Sequence, residues 1–556
     1  MDLDIRFDTY YDFDELTERL HALVAAYPEL ARLESLGKTH QGRDIWAVTL
    51  TNPDTGPAEH KPGYYLDAQI HAEEHATSAV ALYTVHYLLT NYGTDEEVTR
   101  LLDQQVFYVL PRLNPDGAEV ALRAPYYPWC GNGRFLPEHD RHTGLIPGDI
   151  DGDGFIVSMR VPDPKGEWKR ARDPRLMVQR EPGEEEGDFY RVYPEGLIRD
   201  YDGVHVPIER PFDGNLNRNF PVNWSGAEYG AGETALSEPE SRALARFILD
   251  HPNIAGMNAL HTHGGIILRP SMTQSDASMS PRDLALYTAL GEVGTKLTGY
   301  PTISIFEEFT PDKSQPRRGG LMDWTYEEMG IISFATEVWD LETEAGVDKV
   351  AFYNLHPRTE EVQEKVFAWV LENVGEQGYR DWTPFEHPQL GPVEVGGMVY
   401  IWTYRNPPPA LLRDLCHKNM RFLLHHAAAA PRVRVGDVRA EALGANLYKI
   451  RAVVSNHGYL PTNLSDVAIQ KGTAKGVEVA LEPNDAELVM NPPLVDLGHL
   501  AGRNERLYPW SPWGQQWSPV TKVAEWLVRG EAGSSVTVSA KSEKGGTHRL
   551  EVALGG

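Results

Sequence analysis

Two cysteines in 556 residues, Cys130 and Cys416, leave this chain no disulfide framework. Long apolar runs are missing too: no stretch approaches the ~20 residues needed to cross a bilayer. Basic residues are few beside acidic ones, 52 Lys and Arg against 80 Asp and Glu, for a formal charge of −28. That balance argues against nucleic acid, whose phosphates need clustered Lys and Arg, and against anionic membrane surfaces. The opening Met1-Asp2-Leu3-Asp4-Ile5-Arg6 shows no basic segment followed by an apolar one, so no signal peptide is read there. A cytoplasmic protein is expected.

What is present is an ordinary soluble composition, 41% hydrophobic and 24% charged. The length exceeds what one core supports, so two or more domains are expected. Residues 13–26 read as an amphipathic helix capped by Asp12, and 44–50, 64–70 and 106–110 as strands. A long apolar helix over about 77–92, with Thr77 or Ser78 as its cap, separates the second and third strands. The alternation resumes with strands at 254–260 and 331–337 and helices near 238–250, 283–297 and 359–374. Such alternation implies an α/β domain over 1–378 with a mixed, mostly parallel sheet flanked by helices. Ligands of such sheets bind beyond the carboxyl ends of the strands.

Residues 118–213 break the pattern, being rich in Gly, Pro, Asp and Arg, and are expected as a loop-rich insertion. Asn114-Pro115-Asp116-Gly117 before them reads as a turn. Residues 379–430 read as a linker with one helix near 409–426, and 431–556 as an all-β sandwich. Within the insertion, Asp149, Asp151 and Asp153 alternate before a glycine, as in the first half of a Ca²⁺ loop. The twelfth position of such a loop would be Arg160 rather than a bidentate Glu. A bound Ca²⁺ and a plain acidic turn both remain open.

The chemistry concentrates at strand ends. His71 and Glu74, three apart after an apolar strand, offer an imidazole and a carboxylate to one point. Catalytic zinc sites take three such ligands and keep one position open. His71-Ala72-Glu73-Glu74-His75 also fits H-x-x-E-H, with both histidines as ligands and Glu74 as base, a pattern that belongs inside a helix. A distant third ligand should lie at another strand end, where His261 fits and His263 competes. Glu337 terminates an apolar strand, and burial there raises a carboxylate towards the range of a general base. Asn217-Arg218 places an amide beside a guanidinium, a pair suited to a carboxylate.

Taken in order, six stretches resemble the funnelins, the carboxypeptidase A-like zinc metallocarboxypeptidases. They are 37–43, 70–74, 114–117, 217–220, 260–264 and 334–337. The resemblance implies one Zn²⁺ per chain on His71, Glu74 and His261, with Glu337 as the general base. By the same resemblance Asn217 and Arg218 bind the substrate's terminal carboxylate, Arg160 polarises the scissile carbonyl, and Met322 sits where the side-chain pocket sets specificity. Asn215 stands where the family has an aspartate behind the first histidine, and 306–320 holds no substrate-capping tyrosine. Met322 and Ala335 are not acidic, so basic C-terminal residues are not favoured; Arg317 and Arg318 are candidates to line the pocket and select an acidic one.

The implied activity is hydrolysis of the C-terminal amide of peptides, the partner being a peptide or acyl amino acid with a free carboxylate. One alternative keeps the zinc and changes the substrate to an isopeptide, a γ-glutamyl or muropeptide amide. Another is an inactive binding protein acting through its β-sandwich. The sequence leaves an oligomer open.

Overall fold

The computed structural model describes residues 3–123, 130–134, 144–208, 214–348, 359–504 and 519–555. Its central sheet has eight strands, in spatial order 31–38, 44–50, 106–110, 63–67, 254–261, 332–337, 266–269 and 302–304. The four central strands run parallel; an antiparallel pair flanks them on one side, and on the other 266–269 joins antiparallel with 302–304 parallel to it. Those central strands read as unbroken apolar runs because helices cover both faces. One buried cluster lies on each side of the sheet. Asp12 caps the helix Phe13–Ala26 with a full capping box, its carboxylate accepting from the Glu15 amide at 2.8 Å.

Two local expectations shift. The helix placed from Thr77 begins at His75. Thr77 does not cap it; its hydroxyl donates to the Glu74 carbonyl at 2.6 Å and accepts from the Gln69 amide at 2.9 Å. Asn114-Pro115-Asp116-Gly117 opens the helix Pro115–Arg123 rather than a turn. Asn114 Oδ1 accepts from the Gly117 amide at 3.0 Å and proline takes the first helical position, so one composition serves turn and helix start alike.

The described part of the 118–213 insertion is rich in turns and loops, as expected, but it also carries strands. Its strands 158–162, 168–170, 177–179 and 189–194 join 379–387 and 391–398 in one antiparallel six-stranded sheet. The 379–430 stretch is therefore no linker. It supplies two strands of that sheet and then the helix Pro409–Ala428, which lies against the helices His75–Asn91 and Pro281–Thr298. Phe422 of that helix is buried, its ring edge-on to Phe334 at 5.7 Å between centroids.

The described residues of 433–504 and 519–553 form two four-stranded antiparallel sheets around their own core, with Ile450, Val479, Trp526 and Val538 inside. Inward residues alternate along 447–456, the period of a half-buried strand. This unit docks on the α/β domain. Lys544 Nζ donates to the carbonyls of Pro252 and Ile254 at 2.6 and 3.0 Å, and Ser465 Oγ donates to the Gly330 carbonyl at 2.6 Å.

Because Phe422 packs inside the α/β core, Phe422→Ala is expected to cost about 3–5 kcal/mol, against under ~1 kcal/mol for a side chain on a linker helix. Urea denaturation checks this; a cost near zero would return the helix to the linker.

Candidate active site

The site is assembled at the carboxyl ends of the parallel strands. His261 and Glu337 are the last residues of strands 254–261 and 332–337 and face each other in register. Ala259 and Ala335, two residues back, share their face. Strand 63–67 ends one strand over, and the chain then turns through Gln69, whose φ of 53° is left-handed. A residue with a Cβ needs support to hold that conformation. Arg112 Nε donates to Gln69 Oε1 at 2.7 Å, and Gln69 Nε2 donates to the Ala72 carbonyl at 3.1 Å. The pinned turn delivers His71 and Glu74 beside His261.

His71 Nδ1 stands 2.9 Å from Glu74 Oε1, His261 Nδ1 lies 3.2 Å from Glu74 Oε2, and the two Nδ1 atoms are 3.3 Å apart. Ligands about 2.0–2.1 Å from a tetrahedral zinc stand roughly 3.3–3.4 Å from one another. All three side chains are almost wholly enclosed. Burial alone would raise the Glu74 carboxyl, but the imidazoles of His71 and His261 outweigh it and hold the group well below the carboxylate range. Burial would likewise depress His261, yet Glu74, Glu337 and Asp67 lift it to about 9, while burial keeps His71 low. Two nitrogens and a carboxylate around one point are the donors zinc takes, and the residues fit it.

Glu337 lies beyond the triad. Burial pushes its carboxyl up to about 7 against the pull of His261. Its Oε2 finds no hydrogen-bond partner among the described residues. Asp67, fully buried behind the triad, is pushed by burial to about 7. Asn215 Oδ1 accepts from the Asn217 amide at 3.0 Å and so starts the short helical turn 216–218.

That turn carries Asn217 and Arg218 to the cleft, which His71, His261 and Glu337 also line. Gly319 holds it in place. With φ of 68° and the Arg218 carbonyl 2.3 Å from where a Cβ would stand, this position accepts only glycine. Asn217 Oδ1 accepts from the Leu321 amide at 3.0 Å. The far wall is apolar, made by Leu268, Met272, Ile305, Phe309, Met322 and Ala335, with Arg317 as the added cation. Met322 is thus in the pocket, and of the two adjacent arginines Arg317 lines it. Leu268, Met272, Ile305 and Phe309 were missed in the sequence; the three apolar side chains of Ile305, Phe306 and Phe309 ahead of the polar 310–318 stretch were an available signal.

Arg160 is not brought here. It is buried in the six-stranded sheet, where Nε donates to Glu394 at 2.7 Å, Nη1 donates to the Pro174 carbonyl at 3.0 Å, and the guanidinium lies 4.4 Å from the Trp382 ring centre. An arginine from another segment approaches instead. Arg405 Nη1 donates to the Thr262 carbonyl at 2.9 Å and Nη2 pairs with Glu73 at 3.3 Å, so it grips the neighbours of two ligands. Asn406 joins it, donating to the Glu73 carbonyl at 2.8 Å. His263 turns to Tyr400, and His75 to Gln69 at 2.8 Å, so neither competes as a ligand.

Asp149, Asp151 and Asp153 do gather. Their carboxylates accept from backbone amides of their own turn, Gly152 at 2.6 Å, Gly154 at 2.9 Å and Phe155 at 2.8 Å, and Arg380 pairs with Asp153 at 3.2 Å. Their bonding is that of an acidic turn, and the expectation of Ca²⁺ is not supported.

A family model described as zinc carboxypeptidase matches residues 16–365, and one for a domain of unknown function matches 432–553. A zinc carboxypeptidase of Saccharothrix mutabilis subsp. capreolus is 33% identical over 114 residues, 20% of this chain and 26% of that protein. Carboxypeptidase D of Drosophila melanogaster is 32% identical over 213 residues, 37% of this chain and 13% of that protein. The chain thus spans about a quarter or less of these relatives. The crystal structure of a carboxypeptidase A from Helicoverpa armigera superimposes with a TM-score of 0.45 at 17% identity, over 77% of this chain and 76% of that one. Among the described residues, no helix is long and apolar enough to cross a membrane.

His71→Ala is expected to carry one zinc fewer per chain than the unaltered protein, measured by elemental analysis after desalting. Equal zinc content in the two would remove the triad as the ligand set.

Proposed function

The chain belongs to the zinc carboxypeptidase family, and from that premise we propose that it is a zinc-dependent exopeptidase releasing the C-terminal residue of peptides. The observation that carries the reading is the buried triad His71, Glu74 and His261 with Glu337 in register beside it. Zinc held there supplies Lewis acidity, lowering the pKa of a water and polarising the scissile carbonyl.

The chain's own residues do the rest. Arg218 and Asn217 anchor the terminal carboxylate, the guanidinium matching its two oxygens. This fixes the last peptide bond over the triad and the last side chain in the apolar pocket. Glu337, enclosed and poised near neutrality, takes the proton of the attacking water and passes it to the leaving nitrogen. Apolar walls with one cation, Arg317, suit an apolar side chain or one ending in a carboxylate, and reject a basic one.

A second reading rests on the 306–320 loop, which offers Phe309 and Arg317 to the pocket and no tyrosine. The same zinc would then cut an isopeptide, a γ-glutamyl or muropeptide amide, or another acyl amino acid. Inactive binding through the β-sandwich is disfavoured by the complete ligand set and Glu337.

A release assay over peptides and acyl amino acids with varied C-terminal residues tests this. Glu337→Gln should lose about 10²–10⁴-fold in kcat with zinc retained; activity within a few-fold of the unaltered protein would sink the assignment. The base must be ionised, so kcat/KM is present above the folded pKa of Glu337 and lost as pH falls through it. Burial places that pKa at about 7, and the charge of bound zinc draws the acidic limb lower. Arg317→Ala should lower kcat/KM for a C-terminal Glu about tenfold more than for a C-terminal Leu, the loss of a solvent-accessible charge contact. Equal losses on both substrates would make Arg317 a wall without selectivity.

A further inference from the structure

A second group of metal-type ligands stands outside the cleft. His40, Glu238 and Glu240 bring one ligand atom each within 4.8 Å of one another. His40 comes from the turn before strand 44–50, and the two glutamates from the start of the helix Pro239–Asp250. His40 Nε2 is 3.1 Å from Glu238 Oε2. An imidazole nitrogen and a carboxylate oxygen on one zinc-like ion, each about 2.0–2.2 Å from it, stand at such a separation.

The protein already satisfies part of this cluster. Asn132 Nδ2 donates to Glu238 Oε2 at 2.8 Å, and Arg134 Nη1 donates to Glu238 Oε1 at 3.1 Å. Asp116, whose charge is felt at Glu240, is occupied by Arg43 at 2.7 Å, by the Thr39 hydroxyl at 2.8 Å and by the Gln41 amide at 2.9 Å. Glu240 is left over. It is fully buried, and neither carboxylate oxygen has a partner at ordinary hydrogen-bond geometry among the described residues; the Asn132 amide and the local backbone favour its charged form only weakly against burial. A buried ionised carboxylate with no partner is costly, so such a group takes up a proton or a cation. Burial, with Glu238 and Asp116 nearby, does raise its affinity for a proton, to a pKa of about 8. The imidazole beside it tips the balance towards a metal. His40 is partly exposed, so an ion can enter past it from solvent.

We propose that His40, Glu238 and Glu240 bind a second divalent transition-metal ion, distinct from the one in the cleft. One nitrogen and two carboxylates favour zinc, manganese or iron over calcium and magnesium, which take oxygen ligands. The ion is structural. It joins the 37–43 turn to the start of the helix Pro239–Asp250. There the Glu238 amide donates to Asn219 Oδ1 at 3.2 Å, and the Ser241 hydroxyl donates to the same atom. Asn219 is next to Arg218, so the clamp steadies the turn that anchors the substrate carboxylate.

Metal counting on the full chain, saturated with zinc or manganese and then desalted, tests the proposal. Two ions per chain are expected in the unaltered protein, one in His71→Ala, one each in His40→Ala and Glu240→Gln, and none in His71→Ala with His40→Ala. His40→Ala carries the test if Glu240→Gln does not fold, since His40 lies partly in solvent. One ion in the unaltered protein and none in His71→Ala would overturn the second site. Two ions that survive both His40→Ala and Glu240→Gln would place the second ion elsewhere and overturn it equally.

Discussion

The register between strands 254–261 and 332–337 is the constraint on which the site depends. It sets His261 opposite Glu337 at the ends of two buried parallel strands. A slip of one residue by either strand would turn its own side chain to the other face of the sheet and part the two. Once they are set, Glu74, Glu337 and Asp67 crowd three carboxyls around two imidazoles in an enclosed space. Such a group cannot be neutralised by its own protons without losing the geometry of its nitrogens, and a divalent cation resolves it. The left-handed turn at Gln69, and the arginine that braces it, exist to bring His71 and Glu74 to this place.

The second constraint is the wall formed by residues 399–406. Arg405 and Asn406 hold the backbone and side chain of Glu73 and the carbonyl of Thr262, each adjacent to a ligand. This wall follows strand 391–398, which pairs with strand 158–162 of the insertion. Arg160 and Glu394 tie the two strands across that ladder. The insertion thus supports the site from a distance, through a sheet that braces a loop that braces two ligands. It also explains why the α/β domain does not close at residue 378: its last helix and its site wall come afterwards.

The central strands and the residues at their ends were legible because burial on both faces makes parallel strands apolar throughout, and a charged or imidazole side chain then marks the end. His71, Glu74, His261 and Glu337 all carry that mark. The six-stranded sheet was not legible. Its strands within the insertion are short and lie among Gly, Pro and Asp, and the partner that fixes Arg160 is 234 residues away. No local pattern encodes such a pairing. The Asp149–Asp153 turn shows a related ambiguity: carboxylates that accept backbone amides and carboxylates that hold calcium share one composition. The 379–430 stretch read as a linker because its helix buries its faces against elements encoded far earlier in the chain.

The placement of Gly319 links anchoring to selectivity. The Arg218 carbonyl occupies the space a side chain would need there, and the amide and carbonyl of Gly319 bond Val222 and Phe220 at 3.1 and 3.0 Å. Arg317, two residues before, is therefore carried on the same fastening that positions Arg218. Any shift in the loop that moved the pocket cation would also move the Arg218 guanidinium. Changes of preference by substitution at Met322, whose side chain lines the pocket, leave the anchor in place, whereas Met272 packs its sulfur on Gly320, inside the fastened segment. Changes that displace the 317–320 backbone do not, and they act on every substrate alike. The pocket is free to vary on its apolar side and constrained on its charged one.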